Sequence, residues 1–390
     1  MAAFTLYCRR CGAREENVLP YVCRRCGGNL AVRLELDAVR ARADLEGHVA
    51  GSGVWSYEAL LPGPSGTARP TLGESDTPLL HLERLSEELQ LPGLRCKYEG
   101  SNPTHSYKDR FQAVSVAHAS ALGCPGCFCA STGNHGIAAA AYCALAGLAC
   151  AVFAHPEAPD ELCDHMRALG ARVEVLPAAV RDAAMHELLR AGWYPATTSS
   201  FAPLASPFGI TGYKTIAYEL CRQCGGEAPG WVLCPVGGGD GLAGVWQGFL
   251  DLAQLGVIQR LPRMVACQAT GADPVVRAFT AGLDEPPVLD AVSSIALSIR
   301  DPSSGEHVLA ALRASGGMAV AVEDEEIVAA ASLLASCGLL VDPASAAPLA
   351  VARRLATSIG EETAVCLLTA TGGRWPALRQ ALRARAKGAS

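Results

Sequence analysis

Short apolar runs alternate with helical patterns of apolar and polar positions along most of the chain, from Thr77 onward. Uninterrupted apolar runs of about four to eight residues are typical of strands that are buried on both faces of a sheet. The predicted strands are 95–98, 127–130, 149–154, 172–176, 231–236, 264–268 and 364–369, and the predicted helices are 106–122, 136–146, 160–169 and 211–221. This alternation predicts an α/β protein with two doubly wound domains and mostly parallel sheets.

The chain before Thr77 has a different pattern. Residues 1–36 are set apart by two Cys-x-x-Cys pairs, and a stretch rich in Gly, Pro and Ser follows at 47–73. Few apolar positions recur there at the period of a helix or a strand, so this stretch is predicted to be a linker and surface loop.

Length, composition and charge narrow the class of protein. The chain has 390 residues, 50% of them hydrophobic and 18% charged, which is enough for two or three domains with a large buried core. The formal net charge of −6 is spread without long blocks of one sign. This distribution excludes the electrostatic footprint of a nucleic-acid-binding protein.

We expect a soluble, cytoplasmic protein without a membrane partner. No secretory signal is predicted at the start of the sequence. The apolar stretch 137–154 is rich in Ala and is broken at Gly147, so it predicts a buried helix followed by a strand and not a membrane span. Without a secretory signal, the seventeen cysteines are expected to be free thiols and metal ligands.

The first candidate motif runs from Asn102 to Arg110 and contains Lys108. Ser106, followed by Asp109 three residues later, is a capping-box signature that places Lys108 in the first turn of a helix. The positive end of the helix dipole disfavours an ammonium there, which suits a lysine that forms a Schiff base. Taken alone, the motif is more typical of an ordinary surface lysine.

The second motif, 130–136, follows a predicted strand and opens a predicted helix. Hydroxyls and backbone N–H groups converge at such a corner and can bind a carboxylate or another anion. Alone, it is also a common strand–turn–helix corner, because its residue types favour turns. For the histidine in it, a structural hydrogen bond is an equal alternative to a ligand contact. The candidate residues are Ser131, Thr132, Gly133, Asn134 and His135.

Two further motifs each follow a predicted strand. The residues after strand 231–236 are Gly237, Gly238, Gly239, Asp240 and Gly241. Four glycines in five positions allow the backbone to wrap around a phosphate at the start of the next helix. A dinucleotide fingerprint is the alternative, but no acidic residue stands about 20 residues later to bind a ribose. At the end of the last predicted strand, Thr369 and Thr371 supply hydroxyls.

Together the motifs supply a nucleophilic lysine, an anion-binding corner, a phosphate cradle and a hydroxyl at a strand end. Pyridoxal phosphate requires an amine for its aldehyde, a cradle for its phosphate and a partner for its ring nitrogen. The combination therefore predicts a pyridoxal-phosphate enzyme with Lys108 carrying the cofactor.

The order and content of these motifs resemble the fold-type II pyridoxal-phosphate enzymes, and specifically their threonine synthase branch. Segments 211–219, 295–302 and 342–347 also resemble that branch, and the resemblance extends from about Thr77 to Arg374. It implies a fold similar to the tryptophan synthase β subunit, with the cofactor in a cleft between two domains, and a homodimer. The expected limits are 1–36 for an N-terminal zinc-ribbon-like segment, 37–112 with 209–390 for the large domain, and 113–208 for the small domain.

The resemblance also implies roles for individual residues. Lys108 would be the Schiff-base lysine, and Asn134 would bind the phenolic oxygen of the cofactor. Residues 237–241 would hold the cofactor phosphate, and residues 131–133 the substrate carboxylate. Thr369, with Thr371 as a close alternative, would face the ring nitrogen. A neutral hydroxyl leaves that nitrogen largely unprotonated, which favours elimination and replacement over transamination.

The chain departs from the branch where the substrate binds. Threonine synthases usually carry Asn-Pro-x-Arg before the Gly-Tyr-Lys-Thr helix, and that Arg helps to bind the phosphate of O-phosphohomoserine. Here the stretch is Ser-Pro-Phe-Gly at 206–209, in which Ser206 is the candidate substrate ligand. Loss of a bidentate phosphate ligand changes substrate choice. His135 and Phe111 also replace residues that are commonly small in the branch.

Three functional hypotheses follow. The first is the conversion of O-phosphohomoserine to threonine. The second is a β-replacement or β-elimination on O-phosphoserine, serine or threonine, similar to cysteate synthase or an ammonia-lyase. The third, a catalytically inactive binding protein, agrees poorly with the intact Lys108, Asn134 and glycine loop.

The N-terminal cysteines form their own motif. Cys8 and Cys11 make one Cys-x-x-Cys pair, and Cys23 and Cys26 make another, 11 residues further on. Paired knuckles of this kind, each followed by glycine, predict a structural zinc ribbon, because four thiolates close the coordination sphere. The alternative is a reduced ribbon without metal.

Overall fold

The computed structural model describes residues 2–17, 19, 21–47, 49, 51–63, 68–198 and 205–374. The chain divides into two compact units. The first comprises Met1–Asp76 and Asn102–Tyr218, and the second comprises Thr77–Ser101 and Glu219–Ser390. Among the described helices, none combines the length and the apolar character that a membrane span requires.

The described strands belong to three sheets. In chain order they are β1 (Ala3–Cys8), β2 (Arg14–Glu15), β3 (Leu30–Glu35), β4 (Leu79–Leu80), β5 (Leu94–Tyr98), β6 (Gly126–Ala130), β7 (Ala149–Ala154), β8 (Arg172–Val175), β9 (Tyr194–Pro195), β10 (Trp231–Pro235), β11 (Arg263–Ala269), β12 (Met318–Val322) and β13 (Ala364–Leu368).

Helices connect most of these strands. In chain order they are α1 (Ala38–Glu46), α2 (Glu83–Leu89), α3 (Lys108–Ala121), α4 (Asn134–Ala146), α5 (Asp160–Ala168), α6 (Ala178–Arg190), α7 (Gly209–Gly212), α8 (Lys214–Gln223), α9 (Asp240–Gln254), α10 (Pro274–Thr280), α11 (Glu306–Ala314), α12 (Asp324–Ser336), α13 (Pro343–Arg354) and α14 (Ala356–Ile359).

The first unit contains two sheets. The antiparallel N-terminal sheet has the order β2-β1-β3, and the second sheet has the order β8-β7-β6-β9 with every pair parallel. Phe128 of β6 and Phe153 of β7 lie in a core cluster with Met185 of α6. Burial of side chains this large stabilises the sheet by about 1.5–3 kcal/mol each.

The second unit is built on one sheet with the order β12-β11-β10-β13-β5-β4, in which β4 alone is antiparallel and lies at the edge. Strands β10 and β13 are neighbours and run parallel, so their carboxyl ends lie at the same edge of the sheet. Both parallel sheets confirm the predicted α/β fold class. Every predicted strand is present, with ends that differ by one residue at most.

Two predictions about local structure are wrong. The stretch 47–73 is not a surface loop throughout, because a 3₁₀ helix spans Gly53–Leu60 and buries Val54, Trp55 and Tyr57. The indole of Trp55 also donates a hydrogen bond to the carbonyl of Pro70 at 3.0 Å. The aromatic side chains therefore attach this stretch to the unit, although their spacing matches neither helix nor strand periodicity.

The predicted helix 211–221 is interrupted. Helix α7 ends at Gly212 and α8 begins at Lys214. The hydroxyl of Thr211 donates to the carbonyl of Phe208 at 2.6 Å, and that of Thr215 donates to the carbonyl of Gly212 at 2.7 Å. Such bonds to preceding carbonyls compete with the helical ladder, which accounts for the interruption.

Candidate active site

Lys108 lies in the first turn of α3, as predicted, although the helix begins at Lys108 and not at Ser106, and its side chain is half-buried. Its Nζ lies 3.5 Å from the hydroxyl of Tyr107 and 4.6 Å from the centroid of that ring. The ring of Tyr213 stacks on Tyr107 with centroids 4.7 Å apart, and Nζ lies 5.8 Å from its centroid. The amine is therefore bordered by two aromatic rings and one phenolic hydroxyl.

The predicted capping box is wrong in its pairing. The carboxylate of Asp109 accepts hydrogen bonds from the backbone N–H of Thr104, at 2.7 Å, and from the hydroxyl of Thr104. The hydroxyl of Ser106 accepts instead from the N–H of Lys108 at 3.3 Å. Asp109 thus closes the loop in front of the helix, and this loop fixes the backbone at Lys108.

A buried arginine anchors the same helix. Arg110 has no exposed surface, and its Nη1 donates to Thr215 at 2.8 Å and to Ser75 at 3.2 Å. The backbone at Gly212 lies so close to α3 that a Cβ there would overlap the carbonyl of Arg110. The segment that carries Lys108 is consequently held by side-chain bonds on one side and by backbone contact on the other.

The corner that was predicted to bind an anion lies between β6 and α4. The hydroxyl oxygen of Ser131 accepts hydrogen bonds from the N–H of Gly133 at 3.1 Å and from the N–H of Gly136 at 2.9 Å. Ser131, Thr132 and Asn134 are half-buried, so their polar atoms remain partly accessible. A Cβ on Gly136 would lie 2.7 Å from the sulfur of Met166, which explains why glycine is required inside this helix.

Two of the predicted substrate ligands are bonded within the protein. His135 is buried, and its Nε2 lies 2.8 Å from the carbonyl of Ala196 and 3.0 Å from Nε2 of Gln112. Gln112 is one turn beyond Lys108, so this contact connects the second turn of α3 to the first turn of α4. Ser206 has no exposed surface, and its hydroxyl lies 2.8 Å from that of Tyr194.

In the second unit, the glycine loop follows β10 and opens α9. Gly239 has a φ of +100°, and a Cβ on it would overlap Val308. A Cβ on Gly237 would overlap the carboxylate of Asp301. Glycine at these two positions therefore allows the loop to pack directly against the segment 299–308, and the N-terminus of α9 points its first N–H groups toward the loop.

The segment before α11 donates two hydrogen bonds to the glycine loop. The hydroxyl of Ser304 donates to the carbonyl of Gly237 at 2.5 Å, and the N–H of Gly305 donates to the carbonyl of Gly238 at 3.1 Å. These bonds occupy carbonyls of the loop and leave its N–H side for a ligand.

Thr369 follows β13, at the sheet edge where β10 leads into the glycine loop. Its hydroxyl is buried and lies 3.0 Å from that of Ser345, which also accepts from the N–H of Ala370 at 2.9 Å. Thr371 differs, since its hydroxyl donates to the carbonyl of Leu340 at 3.5 Å and accepts from the N–H of Gly373 at 3.3 Å. The hydroxyl of Thr371 therefore closes a turn.

Sequence patterns gave no role to several of these residues. Tyr107 and Tyr213 border the amine, and Ser304 and Ser345 support the loop and Thr369. All four lie inside or beside segments that resemble the threonine synthases, but a lone Ser or Tyr carries no spacing signal. Each pair is brought together by the fold of its own unit.

The four N-terminal cysteines converge as predicted. Their Sγ atoms all lie within 4.8 Å of one another, with Cys8 and Cys26 at 3.4 Å and Cys11 and Cys23 at 3.6 Å. Each pair forms a turn that continues into a glycine of left-handed conformation, Gly12 or Gly27. A hydrogen bond from the backbone of Ala13 lowers the pKa of Cys11 to about 7, and burial raises the pKa of Cys23 to about 12.

Comparison with known proteins adds evidence from the whole chain. Residues 70–370 match the family model of pyridoxal-phosphate dependent enzymes. The threonine synthase of Methanocaldococcus jannaschii is 34% identical over 381 residues, which cover 95% of this chain and 92% of that protein. The threonine synthase of Halalkalibacterium halodurans is 36% identical over 330 residues, which cover 82% and 88%.

Solved structures share the fold. A threonine deaminase from T.th. has a TM-score of 0.66 and 26% identity, and the match covers 85% of this chain and 97% of that chain. A fungal L-serine ammonia-lyase from Rhizomucor miehei has a TM-score of 0.68 and 22% identity, with coverage of 80% and 98%. At this identity the second likeness shows the fold alone.

Proposed function

Because the chain belongs to the pyridoxal-phosphate-dependent enzymes, and among them to the threonine synthase family, we propose that it catalyses an elimination and replacement on a phosphorylated amino acid. The proposed reaction is the conversion of O-phosphohomoserine to threonine. The observation that carries this proposal is the glycine cradle at 237–241 beside Thr369, at the ends of two neighbouring parallel strands.

The residues present fit pyridoxal phosphate. The packing at Gly237 and Gly239 admits only glycine, and a loop of glycines at the N-terminus of a helix presents backbone N–H groups that suit a phosphate. Thr369 supplies a hydroxyl for the ring nitrogen, and Lys108 supplies a partly accessible amine for the aldehyde. When bound, the cofactor withdraws electrons from the Cα of the amino acid, which makes its proton removable.

Lys108 would first carry the cofactor and then act on the proton. The same Nζ would serve as the general base that holds the proton taken from the substrate Cα and as the acid that gives this proton back to the substrate carbon skeleton. The aromatic rings of Tyr107 and Tyr213 restrict the volume that this amine can occupy. The side chains of Asp109 and Arg110, which follow Lys108 in α3, form hydrogen bonds that further fix the backbone at Lys108.

The corner at 131–134 would orient the amino acid. Ser131, Thr132 and Gly133 present hydroxyls and backbone N–H groups for the substrate carboxylate, and Asn134 presents an amide for the phenolic oxygen of the cofactor. Support comes from the position of these residues at the N-terminus of α4, where N–H groups and the helix dipole favour an anion. The substrate-binding roles of His135 and Ser206 stay predictions.

One observation favours a second substrate. The segment 206–209 lacks the arginine that threonine synthases usually carry, and Gly209 is packed so tightly that a Cβ would overlap the ring of Phe111. No side chain fits at position 209 while Phe111 is present. This packing supports the alternative proposal of a β-replacement or β-elimination on O-phosphoserine, serine or threonine.

Titration of the purified holoenzyme tests both proposals. The visible absorbance band of the bound cofactor is recorded while O-phosphohomoserine and, separately, O-phosphoserine are added, and products are analysed. A spectral change and threonine from O-phosphohomoserine alone support the first proposal. A response to O-phosphoserine alone supports the second, and a response to neither excludes both phosphorylated substrates. Lys108→Arg is the matched control, since it keeps the charge and is expected to abolish turnover.

We also propose that the four N-terminal thiolates hold a structural zinc ion. Tetrahedral ligands about 2.3 Å from zinc lie roughly 3.8 Å apart, and the Sγ atoms of Cys8 and Cys26, at 3.4 Å, and of Cys11 and Cys23, at 3.6 Å, lie near that spacing. The expected homodimer, the cytoplasmic location and the domain limits 37–112 with 209–390 and 113–208 also belong to this proposal. They are supported by the resemblance to threonine synthases.

A further inference from the structure

The glycine loop carries a charge that opposes its proposed ligand. Asp240 is the first residue of α9, directly after Gly239, and only 3% of its side-chain surface is exposed. The carboxylate of Asp301 borders the same loop at Gly237. A carboxylate at this position repels a phosphate dianion, and burial strengthens the repulsion because solvent screening is weak there.

A histidine lies where it can offset this charge. Nε2 of His307, on α11, is 3.1 Å from the carboxylate oxygen Oδ1 of Asp240, and its side chain is 7% exposed. Imidazole is the side chain that gains or loses a proton in the neutral pH range, so it can bring a proton to a buried carboxylate. The pair can therefore carry less negative charge than Asp240 alone.

The position of His307 is fixed by the same bonds that support the loop. The N–H of Gly305 donates to the carbonyl of Gly238, and the hydroxyl of Ser304 donates to the carbonyl of Gly237. A Cβ on Gly305 would overlap the imidazole of His307. The loop and the start of α11 are thus bonded to each other, and they hold the imidazole against Asp240.

We propose that His307 is a positioning residue of the phosphate site: it neutralises Asp240 and so allows the glycine loop to accept a dianion. This inference depends on the proposed function, because it takes the cofactor phosphate as the occupant of the loop. His307 acts through Asp240 and has no assigned contact with the substrate. Its removal should weaken binding of the phosphate and leave binding of the pyridine ring unchanged.

The test compares two ligands that differ only in the phosphate. Dissociation constants of pyridoxal phosphate and of unphosphorylated pyridoxal are measured by absorbance on cofactor-free protein. His307→Gln should weaken binding of pyridoxal phosphate about tenfold and change binding of pyridoxal less than about twofold. Asp240→Asn added to His307→Gln should restore most of the affinity for pyridoxal phosphate. Glu306→Gln, the neighbouring position on α11, is the matched control and should change neither constant.

The outcomes separate this inference from the proposed function. Equal weakening of both ligands by His307→Gln, or no weakening at all, would overturn the role of His307. Failure of Asp240→Asn to restore affinity would overturn it as well. If His307→Gln does not fold, Asp240→Asn alone decides: affinity for pyridoxal phosphate should be kept or increased, and a loss contradicts the inference. Wild-type protein that binds no pyridoxal phosphate would contradict the proposed function itself.

Discussion

Nζ of Lys97 lies 2.6 Å from the carboxylate of Glu219, and neither side chain has any surface exposed to solvent. The same amine donates to the carbonyl of Thr77 at 2.6 Å and to the side-chain oxygen of Gln223 at 3.0 Å. The pair lies in the second unit and connects β5 to α8 within it. A buried ion pair of this kind specifies a contact more than it stabilises one, because desolvation offsets much of the attraction.

Removal of one partner should therefore cost more than removal of both. Glu219→Leu leaves a buried ammonium without its carboxylate and should lower the free energy of unfolding by about 3–5 kcal/mol. The double variant Lys97→Met with Glu219→Leu should be more stable than Glu219→Leu alone. Urea unfolding of the wild type, both single variants and the double variant measures the coupling. A strictly additive cycle would contradict an interaction between the two charges.

His118 should make stability depend on pH. Its ring stacks on Phe208 with centroids 3.7 Å apart, and burial lowers the pKa of His118 to about 4. An unfolded histidine has a pKa near 6.5, so the unfolded state binds the proton first as the pH falls. The stabilising contribution is complete above about pH 6.5 and is lost between that pH and about pH 4, by about 3 kcal/mol.

A comparison of the wild type with His118→Gln isolates the contribution of His118 to the pH dependence of stability. Carboxylates titrate in the same pH range, so the quantity of interest is the difference between the two pH profiles of unfolding free energy. The wild type should lose about 3 kcal/mol more than the variant between pH 7 and pH 4. Parallel profiles would show that the pKa of His118 is the same in the folded and the unfolded state.

The cysteine cluster should bind one zinc ion in each chain. Cys26→Ser removes one of the four thiolates and should release the metal, because a structural site with three ligands binds zinc much more weakly. Cys337→Ser is the matched control, since Cys337 is also a half-buried thiol and lies outside the cluster. Metal analysis of the purified proteins measures how much zinc each variant retains. Equal zinc content in Cys26→Ser and Cys337→Ser would contradict the site.

The two threonines after β13 should differ in their effect on the cofactor. Thr369→Val removes the hydroxyl that lies beside Ser345 and should shift the absorbance maximum of the bound cofactor, because the ring nitrogen would lose its proposed partner. Thr371→Val removes a hydroxyl that is engaged in a turn and should leave the maximum nearly unchanged. A shift in Thr371→Val alone would assign the ring contact to Thr371.

The sequence predicted the parallel sheets because their strands are buried on both faces. Segments such as Cys127–Ala130 and Trp231–Val236 are uninterrupted apolar runs, and each continues into a glycine or hydroxyl motif at its carboxyl end. In this fold class ligand sites lie at that end. Fold class and candidate motifs could therefore be derived from pattern alone.

The sequence could not predict contacts between residues that are far apart along the chain. Asp109 accepts from Thr104 and not from Ser106, and His307 reaches Asp240 from a helix more than 60 residues later. The buried 3₁₀ helix at Gly53–Leu60 was not predicted either, because it lies in the stretch 47–73, whose richness in Gly, Pro and Ser is typical of a loop. Local propensity does not contain these interactions, since tertiary packing determines them.

The distribution of cysteines makes the unfolding of this protein measurable sheet by sheet. Of its seventeen free thiols, thirteen are buried, and they are spread over both units and both parallel sheets. Burial raises the pKa of Cys129 in the first unit and of Cys234 in the second, so neither reacts readily with an alkylating reagent while its sheet is intact. Mass spectrometry of the alkylated peptides over time would thus show, strand by strand, which sheet becomes accessible first. No reporter residue has to be introduced, because the native cysteines serve as the reporters.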